Sequence, residues 1–368
     1  MNRQSSGSSP IPESVLGDLP TPCLIIDLAA CDRNIATAAG YFGRRKAKLR
    51  PHFKAHKCTK LMARQLAAGS CSGVTCATAH EAEVLADGGF ASVLVANEVV
   101  EQRSLQALAR AARLTSVTVA VDCNKHLELL GDSLPHGIGL GVVIEIDVGA
   151  HRCGLPPGSA SLTELAKAID EAPNLTFAGL QGYEGHAVLE PDPVLRRQLV
   201  GVAAAILRDE ERRLERAGFE CQVLSGGGTG TFDLAAEAGV LTEVQAGSYV
   251  LMDGTYDALG LPFEIALYCC ATVISRTEDR AVLDAGLKAL STDSGLPLPL
   301  DEGIEVLSIA DEHTRIRSAS GDLPEVGERL LLIPSHVDPT VNLHDVLFTW
   351  SPDQGLSSWV VDGRRSGA

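Results

Sequence analysis

Apolar and polar positions alternate along this chain in two regimes. From about residue 49 to residue 250, short runs rich in Val, Ile and Leu are each followed by a longer Ala- and Leu-rich stretch of helical period. Strand-like runs fall at Leu49–Phe53, Gly73–Ala77, Ser92–Ala96, Val117–Val121, Leu140–Asp147, Leu175–Tyr183, Cys221–Leu224 and Val244–Val250. Helical patterns between them include CTKLMARQLAAG, HEAEVLADGG, LQALARAAR, LTELAKAIDEA and PVLRRQLVGVAAAILRDEERRLERAG. Eight strand-then-helix units in series predict a parallel (β/α)₈ barrel of the TIM type.

An earlier run, Cys23–Asp27, falls outside the count of eight and is expected in a second domain. After about residue 258 the pattern changes. ATVISR, RAVLDAG, EVLSIA, RLLLIPSH and WVVDG are short strand-like runs broken by Gly, Pro and Asp, which predicts an antiparallel β domain. The expected division is a tail over 1–18, a barrel over 28–255, and a β domain made of 19–27 and 256–368. The Ser-, Gly- and Pro-rich tail is expected to be loose.

Composition narrows the class. Hydrophobic residues make up 45% of 368 residues, ample for a large core. The net charge of −16 argues against broad binding to nucleic acid or anionic membrane. The ten cysteines form no regular framework and no CxxC, as expected of reduced thiols in a cytoplasmic protein. The first residues lack the apolar core of a secretory signal, and no apolar run has the length of a membrane span.

Candidate chemistry gathers at the strand ends. In RPHFKAHK, alternation along a strand puts Arg50, His52 and Lys54 on one face, with Lys54 near the C-terminal end where barrel active sites are built. A lysine in a barrel mouth can form a Schiff base with an aldehyde such as pyridoxal 5′-phosphate (PLP). A solvent-facing lysine is the bland alternative, and Lys57 and Lys60 are competitors in the next helix. Barrels often bind phosphate with the loops after strands seven and eight. SGGGTGT (225–231) and AGSY (246–249) occupy those positions. Ser225, Gly226, Gly227, Thr229, Gly247, Ser248 and Tyr249 are therefore candidate cofactor contacts, against the reading of plain tight turns. Arg152 could reach a phenolic oxygen or pair with Asp147, and Tyr183 could meet a pyridine nitrogen or be an ordinary barrel-mouth aromatic. In PSHVDPTVN, an extended backbone would aim His336 and Asp338 at one point, a donor pair suited to Mn²⁺, Mg²⁺ or Zn²⁺. A polar surface turn is the competing account. Asp311-Glu312-His313 could add an acid or base, and His344-Asp345 reads as a surface turn.

Taken together, RPHFKAHK, VTCATAHEAEVLADGG, VLVANEVV, EIDVGAHRCGLPPG, GLQGYEGH, VLSGGGTGTFD, EVQAGSYVLMD, DAGLKALSTDSG and PSHVDPTVN resemble the D-threonine aldolase and D-serine dehydratase family of fold-type III PLP enzymes, over roughly residues 19–350. The resemblance implies an alanine-racemase-like barrel plus β domain, Lys54 as the Schiff-base lysine, and a head-to-tail homodimer. It implies a divalent metal on His336 and Asp338, with His336 and His52 as catalytic candidates beside Lys54. In this family dehydratases typically carry His-x-Cys and D-threonine aldolases His-x-Asp. His336-Val337-Asp338 therefore points to retro-aldol cleavage of D-β-hydroxy-α-amino acids, with Mn²⁺ as the first candidate metal and Mg²⁺ or Zn²⁺ as alternatives. The rival readings are a 3-hydroxy-D-aspartate aldolase, a D-serine or 3-hydroxyaspartate dehydratase, and a non-catalytic PLP carrier. Thr314-Arg315 after His313 departs from the family pattern, where Gly is expected at 314.

Overall fold

A computed structural model describes residues 9–364. They form two compact units: one comprises the residues up to Thr37, Ala55–Cys58 and those from Ser248 onward, the other Ala38–Lys54 and Thr59–Gly247. Strands are numbered along the chain, and β1 (Cys23–Asp27) belongs to the first unit.

The second unit is the expected barrel. Its strands are β2 (Lys48–Leu49), β3 (Val74–Cys76), β4 (Ser92–Val95), β5 (Ser116–Val121), β6 (Leu140–Glu145), β7 (Leu175–Gly182), β8 (Val223–Gly226) and β9 (Glu243–Val244). Each pairs in parallel with its neighbours in the order β2-β9-β8-β7-β6-β5-β4-β3, and parallel bridges Leu49–Cys71 and His52–Thr75 join the two end strands. Parallel strands covered on both sides read as continuous apolar runs, which is why β3 to β6 were legible. Leu94, Ala120 and Val143 cluster from adjacent strands. Gly179 in β7 has φ +145°, and a Cβ there would lie 1.9 Å from the Val223 carbonyl oxygen, so only glycine lets β7 and β8 pair. The β6–β7 ladder also shifts register between Val142 and Val143, opposite this point.

The helical patterns appear as Thr59–Ala67, Ala79–Asp87, Gln102–Leu114, Ser161–Glu171 and Pro193–Arg216. Three further helices are Leu28–Gly43, Asn124–Ser133 and Phe232–Glu237. The first starts directly after β1 because the Asp27 carboxylate accepts the N–H groups of Ala29 and Ala30.

In the other unit, β1 sits inside a sheet with β10 (Leu267–Arg276), β11 (Ala281–Leu283), β12 (Leu298–Pro299), β13 (Ile304–Ile309), β14 (Thr314–Ser318), β15 (Arg329–Ile333), β16 (Val346–Ser351) and β17 (Gly355–Val360). All pairs are antiparallel except β1–β16, so the sheet is mainly rather than purely antiparallel. The tail expectation needs correction. Residues 1–8 lie outside the described residues, but Glu13–Gly17 is helical, and Ile11, Leu16 and Leu19 are buried with Cys23, Ile25, Tyr268, Cys270, Leu331 and Ile333. Their apolar surface holds the segment down despite its Ser, Gly and Pro content. Among the described residues, no helix is long and apolar enough to cross a membrane.

Candidate active site

Lys54 lies in the barrel unit just past β2. The strand is shorter than expected. Arg50 and His52 still donate their N–H groups to Val244 (2.8 Å) and Ala246 (3.1 Å), but Phe53–Ala55 then closes into a 3₁₀ turn. Lys54 is therefore on a turn, and strand alternation does not aim it as expected. His52 is buried, and its Nδ1 accepts the Lys54 N–H at 3.4 Å, so the imidazole braces the turn that carries the lysine.

The glycine loop is tied down from within. Glu184, at the end of β7, accepts the Gly227 N–H (3.1 Å) and the Thr231 hydroxyl (2.6 Å), while Thr231 Oγ1 takes the Gly228 N–H (3.2 Å). Burial pushes the Glu184 carboxyl up. Ser225 donates to Glu243 (2.8 Å) and accepts from Gln245 (2.8 Å). Ser225 Oγ and the Gly227 N–H, both candidate cofactor contacts, are thus each engaged by a carboxylate, Glu243 and Glu184. The glycines themselves are required: a Cβ on Gly226 would lie 2.2 Å from the Gly182 oxygen, and Gly227 has φ +77°. Gly247 is buried in the same unit.

Arg152 does not pair with Asp147, whose carboxylate is engaged by His151 and by the Gly149 N–H. Its guanidinium lies over the Tyr183 ring, 5.5 Å from the centroid, and 3.6 Å from Glu145. Glu145 ends β6, is 4% exposed and accepts from Gln181 at 2.7 Å. Burial first, and the charge of Glu98 second, push its carboxyl up to about 7. One oxygen of Glu98 is itself buried and unpartnered. Sequence reasoning did not single out Glu145, Glu184 or Glu98. The signal was available, since charged residues closing apolar barrel strands face a dry mouth. A further group, Asp122, Cys123 and His126 after β5, has ligand atoms within 4.8 Å of one another, but Asp122 already accepts from Gly154 (3.1 Å) and pairs with His126.

In the other unit, Ser248 Oγ donates to Asp338 Oδ1 at 3.1 Å. Tyr249 is buried, its ring 5.3 Å from that of Phe263. The backbone around His336 is not extended throughout: His336 precedes the short helix Val337–Val341, and Asp338 is in its first turn. The buried Val337 N–H is held by Asp253 at 2.9 Å, which sets His336 and Asp338 on either side of an anchored residue. His336 Nδ1 lies 2.6 Å from Asp293 Oδ2. Burial alone would raise the Asp293 carboxyl, but hydrogen bonds from Ser291 and His336 outweigh it and hold it below the usual range. An imidazole flanked by carboxylates is a donor set that fits a hard or borderline divalent ion. Asp311, Glu312 and His313 are exposed in the turn between β13 and β14, with Glu312 paired to Lys288 at 2.6 Å. His344 binds the Ala289 carbonyl at 2.8 Å and Asp345 pairs with Arg364, consistent with a structural turn.

A barrel of this topology with a lysine after its first strand, joined in sequence to a mainly antiparallel β unit, defines an alanine-racemase-like PLP enzyme. Residues 26–254 match the model of the alanine racemase N-terminal domain, and residues 266–350 match a putative serine dehydratase domain. The chain is 38% identical over 361 residues to a D-threonine aldolase of Arthrobacter sp., covering 96% of this chain and 95% of that one. It is 37% identical to a 3-hydroxy-D-aspartate aldolase of Paracoccus denitrificans (strain Pd 1222), covering 95% and 93%. The crystal structure of D-threonine aldolase from Filomicrobium marinum superposes with a TM-score of 0.90 at 38% identity, covering 95% of this chain and 96% of that one. The chain belongs to the D-threonine aldolase and D-serine dehydratase family of fold-type III PLP enzymes.

Proposed function

We propose that this chain is a PLP- and divalent-metal-dependent aldolase that splits D-β-hydroxy-α-amino acids, D-threonine among them, into glycine and an aldehyde. The observation that carries the reading is Asp338, a carboxylate two residues after His336 where the dehydratase branch carries a cysteine. PLP, when bound, supplies an electron sink for the bond that breaks at Cα. Lys54 would hold it through its amine, on a turn braced by His52. Arg152 would offer a permanent positive charge toward the ring's phenolic oxygen, with Tyr183 beneath it. Gly226, Gly227 and Thr229 would flank the phosphate at the glycine loop, with Ser225, Gly247, Ser248 and Tyr249 as the remaining assigned contacts. His336 and Asp338 would hold the metal, for which Mn²⁺ is the first candidate, and so favour loss of the β-hydroxyl proton. A homodimer in the cytoplasm completes the proposal.

The test is product analysis with D-threonine, D-serine and D-3-hydroxyaspartate, with and without Mn²⁺. Glycine and acetaldehyde from D-threonine, dependent on Mn²⁺, are expected. Preference for D-3-hydroxyaspartate with glycine as product would shift the substrate and keep the reaction. Ammonia and a 2-oxo acid without glycine would replace the aldolase by a dehydratase.

A further inference from the structure

Asp293 belongs to a loop that the fold ties down on several sides. The Ser291 N–H donates to Thr340 Oγ1 (3.2 Å), and Ser335 Oγ donates to the Ser291 carbonyl (3.2 Å). Thr340 is fully buried in the helix that follows His336, so the loop and the histidine share one anchor. Within the loop, Ser291 Oγ donates to Asp293 Oδ1 at 2.7 Å and Ser294 Oγ reaches Oδ2 at 3.3 Å. The carboxylate is thereby presented to His336 Nδ1 at 2.6 Å, within the range of a charge-assisted hydrogen bond.

The geometry points to Asp293 as a positioning residue for the metal: it accepts the His336 Nδ1–H, fixes the tautomer, and leaves Nε2 as the ring atom that ligates. An ionised carboxylate can only accept, so the proton on this hydrogen bond belongs to the imidazole. A histidine held this way is also a stronger donor to a metal, and loss of such a partner typically weakens binding 10- to 100-fold. The inference rests on the reading that His336 and Asp338 hold the ion.

The experiment measures Mn²⁺ affinity of the metal-stripped full chain by calorimetry, without substrate, for wild type, H336A, D293A and D293N. Wild type should bind Mn²⁺ and H336A should lose it; otherwise the metal reading itself falls, and this inference with it. Given that result, D293A should bind roughly 10- to 100-fold more weakly, and D293N should recover part of the loss because its amide oxygen accepts the same N–H. Wild-type affinity in D293A would overturn the inference and leave the metal reading standing. Equal losses in D293A and D293N would also overturn it, because Asp293 would then act by its charge or as a direct ligand. The Asp293 side chain is 49% exposed, so its removal opens no buried cavity, and matched melting temperatures confirm that the variants are folded.

Discussion

Glu145→Gln should remove one distinct part of the pH dependence of the barrel's stability between about 5 and 8. Glu145 is 4% exposed at the end of β6, faces Glu98 and Asp122, and has Arg152 only at 3.6 Å. Its carboxyl is pushed from an ordinary 4.5 up to about 7, by burial above all. At ~1.4 kcal/mol per pH unit, that displacement amounts to about 3 kcal/mol against the ionised folded state. Because the folded protein holds the proton more tightly than the unfolded chain, the contribution is fully present below about 4.5. It declines as pH rises and is lost above about 7. Glutamine keeps a carbonyl for the Gln181 amide and removes one charge beside Glu98. The variant should match or fall slightly below wild type at pH 5 and exceed it at pH 8. For 368 residues, 3 kcal/mol corresponds to roughly 4 °C in Tm. Calorimetric melting of both proteins, in the same cofactor state and buffer series, reads the difference. A gap between the two that does not change from pH 5 to pH 8 would refute the argument from burial.

Lys54→Ala should abolish the visible absorption band of lysine-bound PLP; an unchanged spectrum would remove Lys54 from the proposal. Gly179→Ala should prevent accumulation of folded protein or lower Tm sharply, because its Cβ would fall 1.9 Å from the Val223 oxygen, and an unaltered melt would contradict that packing. Glu184→Ala leaves the buried Gly227 N–H and Thr231 hydroxyl without their acceptor and should cost about 3 kcal/mol in denaturant unfolding, whereas Glu184→Gln should cost less. Equal effects of the two would assign the role to charge instead of hydrogen bonding.

The barrel was legible because its signal is local. Each parallel strand is buried on both faces, so runs such as LGVVIE announce themselves without knowledge of their partners. The end of β2 was not legible. RPHFKAHK looks extended throughout, yet the chain turns at Phe53, and only the hydrogen bonds to Val244 and Ala246 define where pairing stops. β14 and β16 were missed for another reason: TRIRS carries arginines on its exposed face, while in VLFTWS the polar Thr349 and Ser351 are buried and Val346, Phe348 and Trp350 lie on the half-buried face, so neither run shows the usual apolar-in, polar-out signal. The segment around Ile11 was masked by Ser, Gly and Pro neighbours, although three apolar side chains suffice to pin it.

The residue roles divide along the same line. Motif reading identifies which residue types recur at a strand end, but a side chain's task depends on the nearest buried charge, which register determines. Ser225 pairs across the β8–β9 ladder with Glu243, so its hydroxyl is committed there. Glu243 in turn takes Arg50 at 2.9 Å, and Gln245 joins Ser225 to Gln181 and so to Glu145. This buried chain of hydrogen bonds runs from the first barrel strand to the carboxyl beside Arg152. Removing Ser225, for example, would take the donor from the buried Glu243 Oε1, at a cost larger than the bond itself contributes. Arg50 and Ser225 thus belong to a buried frame that reaches Glu145. Through Glu145 they reach the guanidinium of Arg152, 3.6 Å away.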